Sequence, residues 1–285
     1  MQQTASLPPT SPLIRALRCA RLGLHFLAGA CAIAFVYPSA HENRRLWFKQ
    51  RWSRQLLDIL GIRLDAKLAG IAPGNLIVAN HISWLDIHAL NAARPMAFVA
   101  KSELRHWPLV GWLAANTDTI FLRRGYRGHA KLVNAQIESM LKAGRDVAIF
   151  PEGTSTDGTQ ILNFHSALFQ AAVDTGRAVQ PVALSYYDAD GRRSLAPAYA
   201  GETTMAESLA AILACRTLTV RLRPTPLLCA QTRQRRELAH AARGSIAFNL
   251  GLPLADNPAQ TASVTHDNQV SDGTHAAGPN PASAG

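Results

Sequence analysis

Cysteine is scarce in this chain, and its few cysteines form no pattern. The 285 residues include four cysteines, with no Cys-x-x-Cys pair and no Cys/His cluster at the spacing of zinc ligands. Four cysteines in a chain of this length do not make a disulfide framework. We therefore expect reduced, mostly buried thiols and a protein of a reducing compartment.

Charged residues are also few, and acidic residues are the scarcer kind. Charged side chains make up 17% of the chain, against about 25% in an average soluble domain, while hydrophobic residues make up 48%. This balance excludes a wholly disordered chain. Lysine and arginine number 29 against 19 aspartate and glutamate, a net charge of +10. Such an excess favours an anionic partner: an acidic membrane surface, a phosphorylated substrate or nucleic acid.

The chain lacks an apolar run as long as the roughly 20 residues that span a bilayer. Its apolar stretch at residues 22–37 has 16 residues and carries basic residues on both sides. Positive charge on both flanks favours a membrane-associated helix that dips into the cytoplasmic leaflet. A true span, a signal peptide and a buried helix of a soluble protein are the alternatives.

Several common catalytic signatures are missing as well. The sequence has no GxxxxGK[ST], no GxGxxG after a strand, no HExxH and no GxSxG. These absences argue against a P-loop NTPase, a dinucleotide enzyme, a zinc hydrolase and a serine hydrolase. Since no aromatic-rich basic strand pattern is present, we expect no nucleic-acid partner.

Short apolar runs alternate with helical stretches between about residues 56 and 252. The runs typical of buried strands are residues 74–80, 96–100, 119–122, 147–150, 178–186 and 217–223. The stretches with helical periodicity or caps are residues 129–142, 165–175, 204–215 and 232–249. This alternation predicts an α/β fold: a single domain with a mostly parallel sheet flanked by helices, in addition to the N-terminal membrane-associated helix.

Composition divides the chain into three parts. Residues 1–45 hold a polar segment and the membrane-associated helix, and residues 46–253 form the α/β domain. Residues 254–285 are small, polar and rich in proline and glycine, which predicts a disordered tail without a catalytic role.

A histidine and an aspartate follow the first predicted strand, in the stretch NHISWLD at residues 80–86. A regular helix places residues five apart about 140° from each other, so His81 can meet Asp86 only by preceding the helix and folding back over its start. Asp86 would then hold one imidazole nitrogen and leave the other to take a proton from a substrate hydroxyl. An incidental histidine at a helix start is the alternative.

Other polar residues also stand where predicted strands end. They are Lys101, Arg123, Arg124, Glu152, Gly153 and Thr154. Because open α/β sheets bind ligands at the carboxyl ends of their strands, we expect these residues at one binding edge. Basic side chains and backbone amides there suit an anion such as a phosphate. Ordinary turns and solvated surface charge are the alternatives.

In order, the NHxxxxD block, the strand that ends in arginine and the FPEGT block resemble the glycerolipid acyltransferases, specifically the 1-acylglycerol-3-phosphate acyltransferase family. The resemblance covers about residues 50–225 and includes FVAKSEL at 98–104 and VQPVAL at 179–184. It implies transfer of a fatty acyl group from an acyl thioester to the free hydroxyl of a lysophospholipid. The implied acceptor is 1-acyl-sn-glycerol-3-phosphate, which gives phosphatidic acid.

The resemblance also implies roles for single residues. His81 is the general base for the acceptor hydroxyl, and Asp86 is its orienting partner. Arg124, Arg123 and Lys101 bind the acceptor phosphate. Arg124 is preferred because FLRR stands where the family has Phe-Ile-Asp/Glu-Arg.

Glu152, Gly153 and Thr154 are implied to complete the acceptor site. The fourth block departs from the family, since LSY at residues 184–186 replaces the usual second proline. The run FPEGTSTDG at residues 150–158 looks like the branch that acylates lyso-ornithine lipid, an acceptor without a phosphate, and this acceptor stays open. A non-catalytic peripheral membrane protein with the same fold is a further alternative.

The implied reaction needs no metal and no organic prosthetic group. Acyl-CoA or acyl-carrier protein acts as the co-substrate that donates the acyl group. The implied partners are membrane lipids, the lysophospholipid acceptor and this donor. The implied location is the cytoplasmic face of the inner (plasma) membrane.

Overall fold

The computed structural model describes residues 10–123 and 127–255, in which a seven-stranded sheet has helices on both faces. The strands are β1 (Ile62–Ala66), β2 (Leu76–Ala79), β3 (Ala97–Lys101), β4 (Thr119–Leu122), β5 (Val147–Ile149), β6 (Val179–Tyr187) and β7 (Leu218–Pro224). The helices are α1 (Pro12–Cys31), α2 (Glu42–Leu60), α3 (Leu85–Ala93), α4 (Val110–Ala115), α5 (Arg127–Lys142), α6 (Gln170–Thr175), α7 (Met205–Ala214) and α8 (Arg235–Leu250). Short turns of 3-10 helix cover Tyr37–Ser39, Ser102–His106 and Ser166–Phe169, and a π-helical turn covers Ala32–Val36.

The strand order across the sheet is β1-β7-β6-β2-β5-β3-β4. The strands from β6 to β4 run parallel to one another, whereas β7 is antiparallel to β6, and β1 is parallel to β7. This topology confirms the predicted α/β fold with a mostly parallel sheet. The carboxyl ends of β2, β3, β4, β5 and β6 meet at one edge, which we call the site edge.

Apolar side chains fill the space between the sheet and the helices on both faces. On one face the sheet packs against α2, α3 and α7, where Leu56 and Leu85 are fully buried. On the other face it packs against α5, α6 and α8, where Ile137 and Leu238 are fully buried. The sheet is therefore covered on both sides, as parallel strands require.

Within the described residues, apolar periodicity does not reveal β1, α2 or the short helix α4. β1 lies at the edge of the sheet, and Arg63 and Asp65 interrupt its apolar pattern. The buried stripe of α2 includes Lys49 and Ser53, so its inward face reads as polar. The predicted strands and helices themselves coincide with β2 to β7 and with α5 to α8.

The boundaries of the domain differ in detail from the composition changes. The predicted division between residues 45 and 46 falls inside α2, which packs on α3. At the other end, the Ala255 amide donates to the Ile161 carbonyl over 3.0 Å. The rest of the predicted tail, residues 256–285, lies outside the described residues.

The cysteines do not lie where the sequence predicts. All four are free thiols, but Cys19, Cys31 and Cys229 are exposed, and Cys215 is half-buried. The expectation of mostly buried thiols is wrong, because Cys19 and Cys31 belong to α1, a helix that leaves most of its surface uncovered.

The apolar N-terminal stretch belongs to a longer helical segment than the sequence predicts. This segment runs for 28 residues, Pro12–Ser39, and is long and apolar enough to cross a membrane. Only 22% of its most apolar window is buried, which does not fit a core helix of a soluble domain. Its exposed large apolar side chains are Leu13, Ile14, Leu17, Leu24, Leu27 and Phe35.

One close contact holds α1 against α2. The His25 imidazole stacks on the Trp52 indole with ring centroids 4.6 Å apart, and Trp52 Nε1 donates to the His25 carbonyl over 3.2 Å. Gly29 permits this approach, because a Cβ at that position would lie 2.6 Å from Trp52 Nε1.

Candidate active site

His81 and Asp86 meet in the turn between β2 and α3. His81 Nδ1 lies 2.8 Å from Asp86 Oδ2, and the same oxygen accepts hydrogen bonds from the amides of Ile82 and Ser83 over 2.7 and 2.9 Å. Asp86 stands in the first turn of α3, where the helix dipole favours a negative charge. His81 precedes α3 and folds back over its start, as the five-residue spacing requires. With Nδ1 donating to the carboxylate, Nε2 carries the lone pair and can accept a proton.

The second oxygen of Asp86 has a partner that sequence reasoning missed. Tyr186, which is fully buried on β6, donates from Oη to Asp86 Oδ1 over 2.7 Å. Burial raises the pKa of Tyr186 well above its usual range, and the nearby Asp86 carboxylate raises it further. The phenol therefore stays protonated and acts as a donor. The only signal in the sequence was the departure from the family pattern at residues 184–186.

Glu152 lies beneath the backbone of His81. It is buried, its Oε1 accepts from the His81 amide over 2.7 Å, and its Oε2 accepts from the Leu162 amide over 3.0 Å. Burial raises the pKa of Glu152 to about 7, although these two backbone hydrogen bonds favour the charged form. Both oxygens are directed at backbone groups, so this geometry makes Glu152 a support for His81. Its implied part in the acceptor site stays a prediction.

The loop after β5 holds the other side of the His81 backbone. Gly153 turns the chain with a φ of 72°, and its amide donates to the Phe150 carbonyl over 3.0 Å. Three residues later, the Thr156 amide donates to the His81 carbonyl over 2.9 Å. Thr154 lies between these contacts with an exposed side chain. The loop thus fixes both backbone polar groups of His81, and Gly153 and Thr154 lie beside the site.

Asn80 and Phe150 complete the support of the histidine. The Asn80 side chain accepts from the Leu184 amide over 2.8 Å and donates to the Leu184 carbonyl over 3.0 Å, so it extends the pairing of β2 with β6. The Phe150 ring stacks on the His81 imidazole with centroids 4.1 Å apart and an interplanar angle of 17°. His81 consequently leaves only a fifth of its side chain exposed.

The predicted anion-binding residues lie further along the site edge. Lys101 ends β3 and pairs in register with Leu122, directly before Arg123, and the side chains of Lys101 and Arg123 are exposed. At roughly 4.8 Å per strand, the ends of β3 and β4 lie about 10 and 14 Å from the end of β2. The structure therefore brings Lys101 and Arg123 together, beside rather than over His81. Arg124 lies outside the described residues.

The basic residues of α8 are divided between the two edges of the sheet. Arg233, Arg235 and Arg236 stand near the start of α8. This start lies near Gly176, which precedes β6, because a Cβ on Gly176 would touch the Gln231 side chain. These three arginines therefore lie at the edge of the sheet opposite His81. Arg243 donates to the carbonyls of Leu162 and Ile161 over 2.8 and 3.0 Å and supports the segment that binds Glu152.

The geometry is that of a histidine held by a buried carboxylate at a sheet edge. Within residues 10–123 and 127–255, no group of three or more His, Cys, Asp or Glu side chains is arranged to hold a metal ion. A histidine held by a buried carboxylate can remove a proton from a bound hydroxyl. Exposed cations nearby can bind an anionic part of the same substrate.

Comparisons with known proteins agree with this chemistry. The family described as Acyltransferase matches residues 67–185. A lyso-ornithine lipid O-acyltransferase from Pseudomonas aeruginosa is 37% identical over 206 residues, which cover 71% of this chain and 79% of that protein. A 1-acyl-sn-glycerol-3-phosphate acyltransferase from Neisseria meningitidis is 35% identical over 184 residues, which cover 65% of this chain and 71% of that protein.

A solved structure shows the same fold. The crystal structure of the 1-acyl-sn-glycerophosphate acyltransferase PlsC from Thermotoga maritima superposes with a TM-score of 0.59 and covers 83% of this chain and 96% of that one. The two sequences are 21% identical over the match, so this likeness concerns the fold alone.

Proposed function

The chain belongs to the acyltransferase family, and on that premise we propose that it moves a fatty acyl group from an acyl thioester to the free hydroxyl of 1-acyl-sn-glycerol-3-phosphate, giving phosphatidic acid. The observation that carries the proposal is the hydrogen bond of 2.8 Å between His81 and the buried Asp86 at the site edge. This contact occupies Nδ1 and leaves Nε2 of His81 for the acceptor hydroxyl. The relatives named above act on lysolipid acceptors of this kind.

In the proposed reaction His81 Nε2 takes the proton of the acceptor hydroxyl as its oxygen attacks the thioester carbonyl carbon. A tetrahedral intermediate forms, and its oxyanion needs hydrogen-bond donors already in place, each worth roughly 3–4 kcal/mol when well aimed. The C–S bond then breaks, and the imidazolium returns the proton to the leaving thiolate. Acyl-CoA or acyl-carrier protein supplies the thioester, and no prosthetic group takes part.

Asp86 stabilises the imidazolium that forms during this step. Its carboxylate accepts four hydrogen bonds, from the His81 ring, from two backbone amides and from Tyr186. A buried carboxylate held by this many donors cannot rotate away from the imidazole. Glu152 holds the His81 backbone in the same way, so we assign Glu152 a positioning role within the acceptor site.

The acceptor headgroup belongs on the β3–β4 side of His81. Lys101 and Arg123 are the cations that we assign to it, with Arg124 as the third candidate by motif. Flexible Lys and Arg side chains can reach toward the hydroxyl that His81 activates, so a glycerol phosphate fits between them. Gly153 and Thr154 lie on the neighbouring loop, and we assign them to the approach to His81.

Lyso-ornithine lipid is the second candidate acceptor. Its support is the 37% identity to the Pseudomonas aeruginosa enzyme of that name. The chemistry at His81 is unchanged for this acceptor, because it also offers a hydroxyl. The two candidates differ in the headgroup, which is a phosphate monoester in one and an amino acid in the other.

We place the enzyme on the membrane, at the cytoplasmic face of the inner membrane. The exposed apolar surface of α1 supports attachment to lipid, and the net charge of +10 supports an acidic surface. The four free thiols fit a reducing compartment.

The test is an acyl-transfer assay in detergent with palmitoyl-CoA or palmitoyl-carrier protein and three acceptors: lysophosphatidic acid, lyso-ornithine lipid and glycerol 3-phosphate. We expect product with lysophosphatidic acid that disappears in His81→Ala. His240→Ala removes an exposed histidine on α8 and should retain wild-type activity. Product only with lyso-ornithine lipid would show that this lipid is the acceptor, and the proposed mechanism at His81 would stand. No product with any acceptor and either donor would identify a non-catalytic membrane protein.

A further inference from the structure

Four large apolar side chains are exposed within six residues of the segment that joins β3 to β4. Trp107, Leu109, Val110 and Trp112, which we call the apolar patch, are 41%, 45%, 39% and 43% exposed. Single exposed apolar residues are ordinary on protein surfaces, but four within six residues, two of them tryptophans, mark a contact surface.

The backbone presents the apolar patch on a packed support. The Gly111 amide donates to the Trp107 carbonyl over 2.9 Å, and this turn joins the 3-10 turn Ser102–His106 to α4. The contact is close, because a Cβ on Gly111 would lie 2.4 Å from the Arg105 carbonyl oxygen. The apolar side chains are therefore held outward by a folded turn and are not the tip of a loose loop.

The apolar patch follows the site edge directly. The 3-10 turn begins at the residue after Lys101, which ends β3 beside the other strand ends. Among the described residues, the exposed charged side chains of the same region are Lys101, Glu103, Arg105 and Arg123, three cations and one carboxylate. An apolar centre with a basic rim is complementary to a bilayer that contains acidic lipids.

We propose that the apolar patch enters the headgroup region of an acidic bilayer and turns the site edge toward the lipid. Tryptophan favours this depth, because its ring is apolar and its N–H remains hydrogen-bonded. The proposal rests on the proposed function, since a lipid acceptor has to reach His81 from the membrane. In this proposal α1 attaches the enzyme to the membrane, and the apolar patch orients it. Loss of the patch therefore leaves the enzyme on the membrane with its site edge poorly oriented toward the lipid.

The first experiment measures the depth of Trp107 and Trp112 by fluorescence. In the full chain with Trp47→Phe, Trp52→Phe and Trp84→Phe, only these two indoles give tryptophan fluorescence. This protein is mixed with vesicles of phosphatidylcholine and phosphatidylglycerol whose acyl chains are brominated. We expect a blue shift and quenching. Unchanged emission from vesicle-bound protein would overturn the proposal. The apolar patch would then lie outside the bilayer, where it either binds another protein or stays exposed to water.

A second measurement does not depend on that triple substitution. In the otherwise native chain, Trp107→Phe with Trp112→Phe should lose part of the quenching that brominated vesicles cause in the wild type. Equal quenched fractions in the two proteins would overturn the proposal, since the quenched indoles would then lie elsewhere.

The kinetic consequence is tested with Trp107→Ser combined with Trp112→Ser. We expect activity on acceptor embedded in vesicles to fall about tenfold, while activity on a short-chain acceptor in solution stays at the wild-type level. Leu132→Ser removes an exposed apolar side chain from α5, outside the apolar patch, and should change neither activity. Equal losses on both acceptors would contradict a membrane role. A wild-type protein that acylates no acceptor would contradict the proposed function. The quenching experiment would still show whether the apolar patch enters the bilayer.

Discussion

Asp86 is the residue on which the proposed chemistry depends most. Of its hydrogen-bond donors, Tyr186 lies furthest away along the chain. Replacing Tyr186 by phenylalanine keeps the ring but leaves Asp86 Oδ1 buried without its donor. Since a hydrogen bond to a charged group contributes roughly 1.5–3 kcal/mol, we expect kcat to fall about ten- to a hundredfold. The KM for the acceptor should stay unchanged, because Tyr186 is buried and its hydroxyl donates to Asp86.

Tyr187→Phe is the matched control for that change. Tyr187 follows Tyr186 on β6, so its side chain points to the other face of the sheet, where it contacts Arg221. Steady-state kinetics should show wild-type values for this variant. An equal fall of kcat in both variants, or a rise of KM alone in Tyr186→Phe, would show that Tyr186 does not act through Asp86.

Glu152 makes the stability of the folded protein depend on pH. Its pKa is raised to about 7 in the folded protein by burial, so the folded state holds this proton more tightly than the unfolded state does. The free energy of unfolding should therefore fall as pH rises from about 4.5 to 7, by about 3 kcal/mol from this group, and then level off. Glu152→Gln does not titrate and should lose this part of the pH dependence.

Denaturant unfolding of the wild type and Glu152→Gln at pH 5 and pH 8 checks this expectation. The stability of the wild type relative to the variant should be greater at pH 5 than at pH 8. An equal difference at the two pH values would mean that Glu152 has the same pKa in the folded and unfolded protein.

The sequence predicts only part of the arrangement of single residues. Asp86 follows His81 by five positions, so a strand end followed by a helix is enough to predict their contact. Tyr186 lies 100 residues from Asp86, and Leu184 lies 104 residues from Asn80. These contacts depend on the pairing of β6 with β2, which no local pattern shows.

Among the elements, the contact between α1 and α2 has the most specific steric requirement. Gly29→Ala would place a methyl group 2.6 Å from Trp52 Nε1, so the indole or the helix has to move. We expect lower thermal stability in detergent and faster tryptic cleavage within α1. The loss should exceed the gain of up to about 1 kcal/mol that alanine brings to a helix interior.

Gly23→Ala is the control on the same helix. No atom lies within 4 Å of a Cβ at Gly23, so only the helix propensity changes, and stability should rise slightly. The same result for the two glycines would show that α1 does not pack on Trp52 in solution.

The elements that the sequence predicts well are those with one dominant apolar pattern. The buried strands β2 and β5 are continuous apolar runs, and α5 has a clear apolar stripe. β1 and α2 are different, because their inward residues alternate with charge or include Lys49 and Ser53. The reversed direction of β7 also follows from tertiary packing, since an apolar run looks the same in either direction.

At the scale of the whole molecule, three features suit a single orientation on a bilayer. The apolar side of α1 is exposed, the apolar patch adjoins the site edge, and the chain carries a net charge of +10. Composition predicts the charge and the apolar helix, but it does not show where the cations lie. Three arginines near the start of α8, for example, stand at the edge opposite His81.

Salt separates the electrostatic and apolar parts of membrane binding. We expect the full-length protein to bind vesicles that contain phosphatidylglycerol more tightly than neutral vesicles at low salt. Raising the salt from about 0.1 M to 1 M shortens the screening length from about 10 Å to 3 Å and should remove most of that preference. Binding to neutral vesicles should persist, because burial of apolar surface on α1 and the apolar patch does not depend on screening.

Vesicle flotation at the two salt concentrations measures both parts. The Trp107→Ser and Trp112→Ser protein should keep the salt-dependent preference for acidic vesicles, since its charges are unchanged, and should bind neutral vesicles more weakly than the wild type. Binding that depends on neither salt nor lipid charge would mean that the basic residues face away from the membrane. In that case the excess charge would serve another partner, and an acidic carrier protein that delivers the acyl group would fit it.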